Sequence, residues 1–135
     1  MKIFLDANVL FSSANTGSQV SLLVDELARD AQLITSDYAL QEALRNLRLK
    51  RPTWINEFNR VCDQLEIVHS VDGPMRIRIA SKDRAILATA IKNACDYLVA
   101  GDKRDLGHLI GKTTGITTVV TPLQMALILE DRYKP

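Results

Sequence analysis

Two cysteines, Cys62 and Cys95, and two histidines, His69 and His108, are all that the chain offers as thiolate or imidazole ligands. The cysteines lie far apart in helical patterns, without metal-ligand spacing, so neither a zinc site nor a disulfide framework is expected. They read as small core residues of a protein in a reducing, cytoplasmic setting. Long apolar runs are missing as well. None approaches the roughly 20 residues that a membrane-spanning helix needs, and Asp6 interrupts the apolar opening where a signal peptide would carry its core. Neither sign of charge dominates, with 17 basic residues against 16 acidic ones, so no global basic field announces nucleic acid. Repeats, low-complexity tracts and linkers are absent too. What remains is one domain over residues 1–135, with 47% apolar residues to build a single core.

What is present is an alternation of strand-like and helix-like segments, the pattern of an α/β domain with a parallel sheet of about five strands. A first strand runs from Lys2 to Asp6, and a polar loop covers Ser12 to Ser18. Val20, Leu23, Val24, Leu27, Ala28 and Ala31 then repeat at helical spacing. Gln32 to Thr35 reads as a strand, and Ser36 as the N-cap of a helix with the stripe Leu40, Ala43, Leu44 and Leu47. Pro52 opens another helix, Ile67 and Val68 form a short strand, and Ser81 caps a helix bearing Leu87, Ala90, Ile91 and Ala94. Tyr97 to Ala100 is a strand ended by Gly101, and Ile116 to Val120 is the last. Thr121-Pro122-Leu123-Gln124 is a capping box opening the final helix.

The acids carry the chemical argument. Asp6 lies between two core-seeking stretches, where a carboxylate is costly to bury without a partner. Ligands of open parallel sheets bind outside the carboxyl ends of the strands, near the point where strand order reverses. Asp6 ends one strand; Asp102 follows another after a single glycine, with Asp105 one turn on. Asp83 lies on the apolar stripe of its own helix, four residues before Leu87 and seven before Ala90. Each acid also has a local reading. Asp6 suits an Asx-type turn, Asp102 a turn, and Asp83 a first-turn charge on the helix dipole. Glu42 sits nearly opposite its helix's stripe, which by periodicity makes it a surface residue beside Arg45.

Clustered carboxylates repel one another unless a cation intervenes. With so few histidines and cysteines, oxygen-only ligation suits Mg²⁺ or Mn²⁺. Such ions activate water and clamp phosphoryl oxygens, which points to metal-dependent phosphodiester hydrolysis. Basic residues gather unevenly, at Arg45, Arg48, Lys50, Arg51 and Arg60, at Arg76, Arg78, Lys82 and Arg84, and at Lys103, Arg104 and Lys112.

Several segments, in this order, resemble the PIN-domain nucleases. They are Asp6-Ala7-Asn8-Val9-Leu10-Phe11-Ser12, Ser36 ahead of Glu42, Asp83 opening a Leu/Ala helix, and the stretch from Ala94 to Leu106 containing Gly101-Asp102-Lys103-Arg104-Asp105. The resemblance covers essentially the whole chain. It is nearest to the small prokaryotic PIN proteins of the VapC type, many of them toxins of toxin–antitoxin pairs. It implies a three-layer α/β/α sandwich and an acidic pocket for Mg²⁺ or Mn²⁺ that cleaves single-stranded RNA. Asp6, Glu42, Asp83 and Asp102 match the metal-binding acids, with Asp105 as a further acid. By their charge, Arg45, Arg48, Lys82, Arg84 and Lys103 are the candidates for contacts to the RNA backbone. An antitoxin partner and a homodimer are further implications. Ala7 and Ala100 stand where the family often has hydroxyl residues that support the pocket.

Two other classes compete. A phosphotransfer enzyme on a similar sheet would want a second Asp at position 8, which is Asn8, or an acidic pair where only Asp6 stands. A non-catalytic binding module on the same fold would lack a metal response.

Overall fold

A computed structural model describes residues 1–71, 81–101 and 106–132, the side chains of residues 81 and 82 excepted. In chain order the elements are β1 (Lys2–Leu5), α1 (Ala7–Ser13), α2 (Gln19–Asp30), β2 (Gln32–Ser36), α3 (Asp37–Lys50), α4 (Ile55–Cys62) and β3 (Glu66–Val68). There follow α5 (Ser81–Lys92), β4 (Tyr97–Val99), β5 (Thr113–Thr114), β6 (Thr117–Val120) and α6 (Pro122–Arg132). Short 3₁₀ turns cover Pro52–Trp54 and Gly107–Leu109. The sheet has six strands in the order β3-β2-β1-β4-β6-β5. All pairs are parallel except β5 with β6.

Strand alternation divides the core in two. Ile3, Leu5, Leu33, Val99 and Val120 face one layer, built by α1, α2, α3, α4 and α6 through residues such as Leu10, Leu27, Leu47, Phe58 and Met125. Phe4, Ile34, Leu98 and Val119 face the other, where α5 supplies Ile86, Leu87 and Ala90. The expected three layers follow directly from these two buried faces.

The sheet has one strand more than expected, and that strand is antiparallel. Thr113 pairs with Thr118 and Thr114 with Thr117, leaving Gly115-Ile116 as a two-residue hairpin loop. Gly115 has φ +61, the positive value that a type II′ turn demands at its first central position. Helix α1 is also new relative to the sequence reading, since the chain enters it directly from β1. Pro52 opens a 3₁₀ turn, with α4 following from Ile55. Helix α5 begins at Ser81 itself. The Ser36 cap is present, its Oγ accepting from the Ala39 amide at 3.1 Å. So is the capping box, with Thr121 N–H donating to Gln124 Oε1 at 3.0 Å and Gln124 N–H to Thr121 Oγ1 at 3.1 Å.

The end of α5 is a Schellman turn. Cys95 N–H donates to Ala90 O at 3.0 Å and Ala94 N–H to Ile91 O at 3.0 Å. Ala94 takes φ 54 in this turn, a left-handed conformation that costs a residue with a Cβ about 1–2 kcal/mol. Ala94→Gly relieves that strain, offset by about 0.4–1 kcal/mol of greater freedom in the unfolded chain. Thermal unfolding of this variant should shift upward by about 2 °C; a downward shift would contradict the strain argument.

Candidate functional site

Strand order reverses between the parallel neighbours β1 and β4. From β1 the chain fills one side of the sheet with β2 and β3, then crosses to β4 and β6 on the other. The crevice beyond the carboxyl ends of β1 and β4 is therefore where such a sheet binds ligands. Asp6, the first residue after β1, stands there, its amide donating to Val99 O at 3.2 Å.

Asp6 is also the N-cap of α1. Its Oδ1 accepts from Val9 N–H at 3.0 Å, realising the local reading of this acid. The backbone amides of Gly101 and Asn8 also favour the carboxylate. These hydrogen bonds do not offset its burial, for the residue is only 4% exposed. Desolvation pushes its pKa up to about 7, with the nearby charge of Asp83 adding to the rise. Near neutral pH the group is poised between acid and carboxylate.

Asp83, in the first turn of α5, is 5% exposed, so the inward direction read from its stripe is observed. Its Oδ2 is buried and takes no hydrogen bond within the described residues, although the residue as a whole does interact with its surroundings. A buried carboxylate whose proton affinity is raised by burial and by a second buried acid suits a hard divalent cation with oxygen ligands better than it suits apolar packing.

The remaining acids are distributed differently. Glu42 is half-buried on α3 and lines a cleft along that helix. Asp102 and Asp105 lie outside the described residues, as do Lys103 and the Lys82 side chain. Among the described residues no group of three or more His, Cys, Asp or Glu side chains gathers closely enough to hold a metal ion. The structure thus brings Asp6 and Asp83 together, while Glu42 lines a cleft along α3. Arg84 is half-buried and engaged with its surroundings, whereas Arg45 and Arg48 are exposed on α3. Burial pushes both thiols, Cys62 and Cys95, up to about 11, which keeps them unreactive at neutral pH. Among the described residues no helix is long and apolar enough to cross a membrane.

Three supports of this rim escaped the sequence reading. The buried Thr35 hydroxyl donates to Leu5 O at 2.9 Å, fixing from β2 the peptide just before Asp6. Asp37 Oδ1 accepts from Ser70 Oγ at 2.7 Å and Ser70 N–H at 3.0 Å, bonds that lower its pKa to about 2. Val71 N–H donates to Thr89 Oγ1 at 2.9 Å, and that hydroxyl donates to Ala85 O at 2.6 Å. The segment after β3 is thereby pinned to α3 on one side and to α5, which carries Asp83, on the other. Only the run of polar residues beside each strand end hinted at these bonds.

No protein-family model matches the chain, and no curated protein does. Solved structures do. VapBC2 from Rickettsia felis, bound to a DNA fragment from its promoter, superposes with a TM-score of 0.68 at 16% identity, over 90% of this chain and 98% of that one. The PAE2754 protein of Pyrobaculum aerophilum gives 0.59 at 18% identity, over 96% and 90%. VapC20 of Mycobacterium tuberculosis, a Sarcin-Ricin loop cleaving toxin, gives 0.54 at 13% identity, over 75% and 90%. The chain has the fold that these structures share, which is the one the PIN-domain resemblance implied.

Proposed function

We propose that this chain, with the VapC-like PIN fold as premise, is a divalent-metal-dependent endoribonuclease acting on single-stranded RNA. The observation that carries the reading is Asp6, buried beside Asp83 at the switch point of the sheet with its pKa raised to about 7. Asp6, Glu42, Asp83 and Asp102 would hold Mg²⁺ or Mn²⁺, with Asp105 as a further acid of the pocket. The chemistry such an ion supplies is water activation and stabilisation of charge developing at phosphorus.

The chain's own residues prepare for that chemistry. The amides of Val9, Asn8 and Gly101 orient the Asp6 carboxylate, and Thr35 anchors the peptide behind it. Desolvation makes Asp6 compete for a cation against a proton, so occupancy rises with pH through about 7. Arg45, Arg48, Lys82, Arg84 and Lys103 are the candidates for contacts to the RNA backbone. Likeness in fold to VapBC2 and to the cleaving toxin VapC20 supports a toxin role with an antitoxin partner. A homodimer in the cytoplasm completes the reading.

The test incubates the purified chain with single-stranded RNA in Mn²⁺, in Mg²⁺ and in EDTA, and maps the new 5′ ends. New ends that carry phosphate and appear only with a divalent ion are expected. Thermal unfolding should rise in parallel, since an ion at 100 times its Kd stabilises by about 2.7 kcal/mol. Neither cleavage nor a metal-dependent shift would leave the non-catalytic module as the better account.

A further inference from the structure

Helix α3 starts at the same rim as the acids. Ser36 ends β2 and caps α3, while the neighbouring Thr35 is bonded to the residue before Asp6. Along this helix runs a cleft of about 500 Å³ lined by Tyr38, Gln41, Glu42, Leu44, Arg45 and Arg48. Tyr38, Glu42, Arg45 and Arg48 follow one another at steps of three or four residues, so they share one side of the helix. With a rise of about 1.5 Å per residue, Tyr38 and Arg48 stand about 15 Å apart along the axis.

Chemistry favours one occupant of this cleft. Tyr38 is 42% exposed, and among the described residues its ring stacks on no other aromatic group. Arg60 is neutralised by Asp25 and Glu57, and Arg51 lies over the Trp54 ring at 5.4 Å. Arg45 and Arg48, by contrast, form no ion pair among the described residues. Beyond Tyr38 itself, Leu44 is the apolar side chain in the lining, too little for the apolar face of a protein helix. An exposed aromatic followed by two available guanidinium groups matches the pairing of stacking platform and basic track that holds single strands.

We propose, building on the ribonuclease reading above, that this cleft is the path of the single-stranded RNA substrate. Tyr38 stacks one base beside the acids, and Arg45 and Arg48 hold the phosphates of the nucleotides that follow. The 15 Å between Tyr38 and Arg48 accommodates a few nucleotides, which rise about 3.4 Å each when stacked. Glu42, half-buried at the Tyr38 end, marks where the strand turns from the helix toward Asp6. Tyr38 is therefore a substrate-contacting residue, and it favours cleavage sites with a base free to unstack at that position.

The test measures binding of a fluorescent single-stranded RNA to Asp6→Asn, in which cleavage does not confound the titration. In that background Tyr38→Ala should weaken binding by about 5- to 150-fold, the worth of one base–aromatic stack. Tyr38→Phe, which keeps the stacking face, should bind within about twofold. Arg45→Gln and Arg48→Gln should each lower the slope of log affinity against log salt by about 0.7. In the cleaving chain Tyr38→Ala should raise KM and leave kcat nearly unchanged. RNA binding indifferent to all three positions overturns the path while leaving the ribonuclease reading intact, and is the result expected if a protein segment fills the cleft. No RNA binding by Asp6→Asn, with no cleavage by the unmodified chain, overturns both.

Discussion

Asp6→Asn should all but remove cleavage and stabilise the metal-free protein above pH 7. The two effects share a cause, the burial of a carboxylate whose negative charge is useful only with a cation beside it. Loss of that charge should lower the cleavage rate by about a hundredfold to a thousandfold. The stability effect follows from linkage. Asp6 has its pKa raised from 3.8 to about 7 on folding. Below about pH 4 the carboxyl is protonated in both states, and the folded chain has its full stability. Between pH 4 and 7 the unfolded chain releases the proton while the folded chain retains it, so stability falls as pH rises. Above 7 it levels off, having lost up to about 4 kcal/mol at about 1.4 kcal/mol per pH unit. Asparagine does not titrate, and its amide oxygen can still accept from Val9 N–H. Denaturant unfolding at pH 4.5 and pH 8 should therefore show a large drop for the unmodified chain and little for the variant. Equal drops would sink the assignment of the buried charge to Asp6.

Leu87→Ala and Leu27→Ala should cost similar stability and very different activity. Both leucines are fully buried, one under α5 and the other under α2. Each truncation should cost about 2–5 kcal/mol. Among the described residues, however, α5 is the one helix packed on the Phe4 face, and it carries Asp83 one turn before Leu87. A cavity under Leu87 loosens the very element that positions a buried acid. The layer containing Leu27 is braced by several helices. Measured per folded molecule, cleavage should fall by about tenfold or more for Leu87→Ala, as expected for a shift of a fraction of an ångström at a reacting centre. It should hold for Leu27→Ala. Equal losses would show that α5 is not the softer support.

Much of this was legible in the residues, for reasons that can be named. The Ser36 and Thr121 caps were readable because a side-chain oxygen at a fixed offset from an amide is a local signal. The inward direction of Asp83 was readable because its stripe has the helical period. Helix α1 was not, since seven residues that continue an apolar strand give no period to detect. Strand β5 was not, because it is two threonines whose pairing depends on Gly115. Glu42 shows the limit of periodicity from the other side. Its helical angle sends it away from the stripe, and only the cleft along α3 gives that side of the helix a use. Thr35 and Thr89 are ordinary threonines in sequence, and their bonds reach across 30 residues to Leu5 and 18 to Val71.

The reversal of strand order between β1 and β4 has a consequence for the chain during its synthesis. Asp6 leaves the ribosome well ahead of β4, yet its amide bonds to Val99 and its carboxylate is favoured by the Gly101 amide. Until β4 has emerged, Asp6 lies at an open strand edge with the acidity of any exposed aspartate. At about 5–20 residues per second, that interval lasts some seconds or more. A prematurely terminated chain that stops before β4 therefore carries the first acid of the pocket without Val99 and Gly101, its partners across the sheet. The nuclease chemistry proposed for this protein is withheld from its own nascent form by the order of its strands.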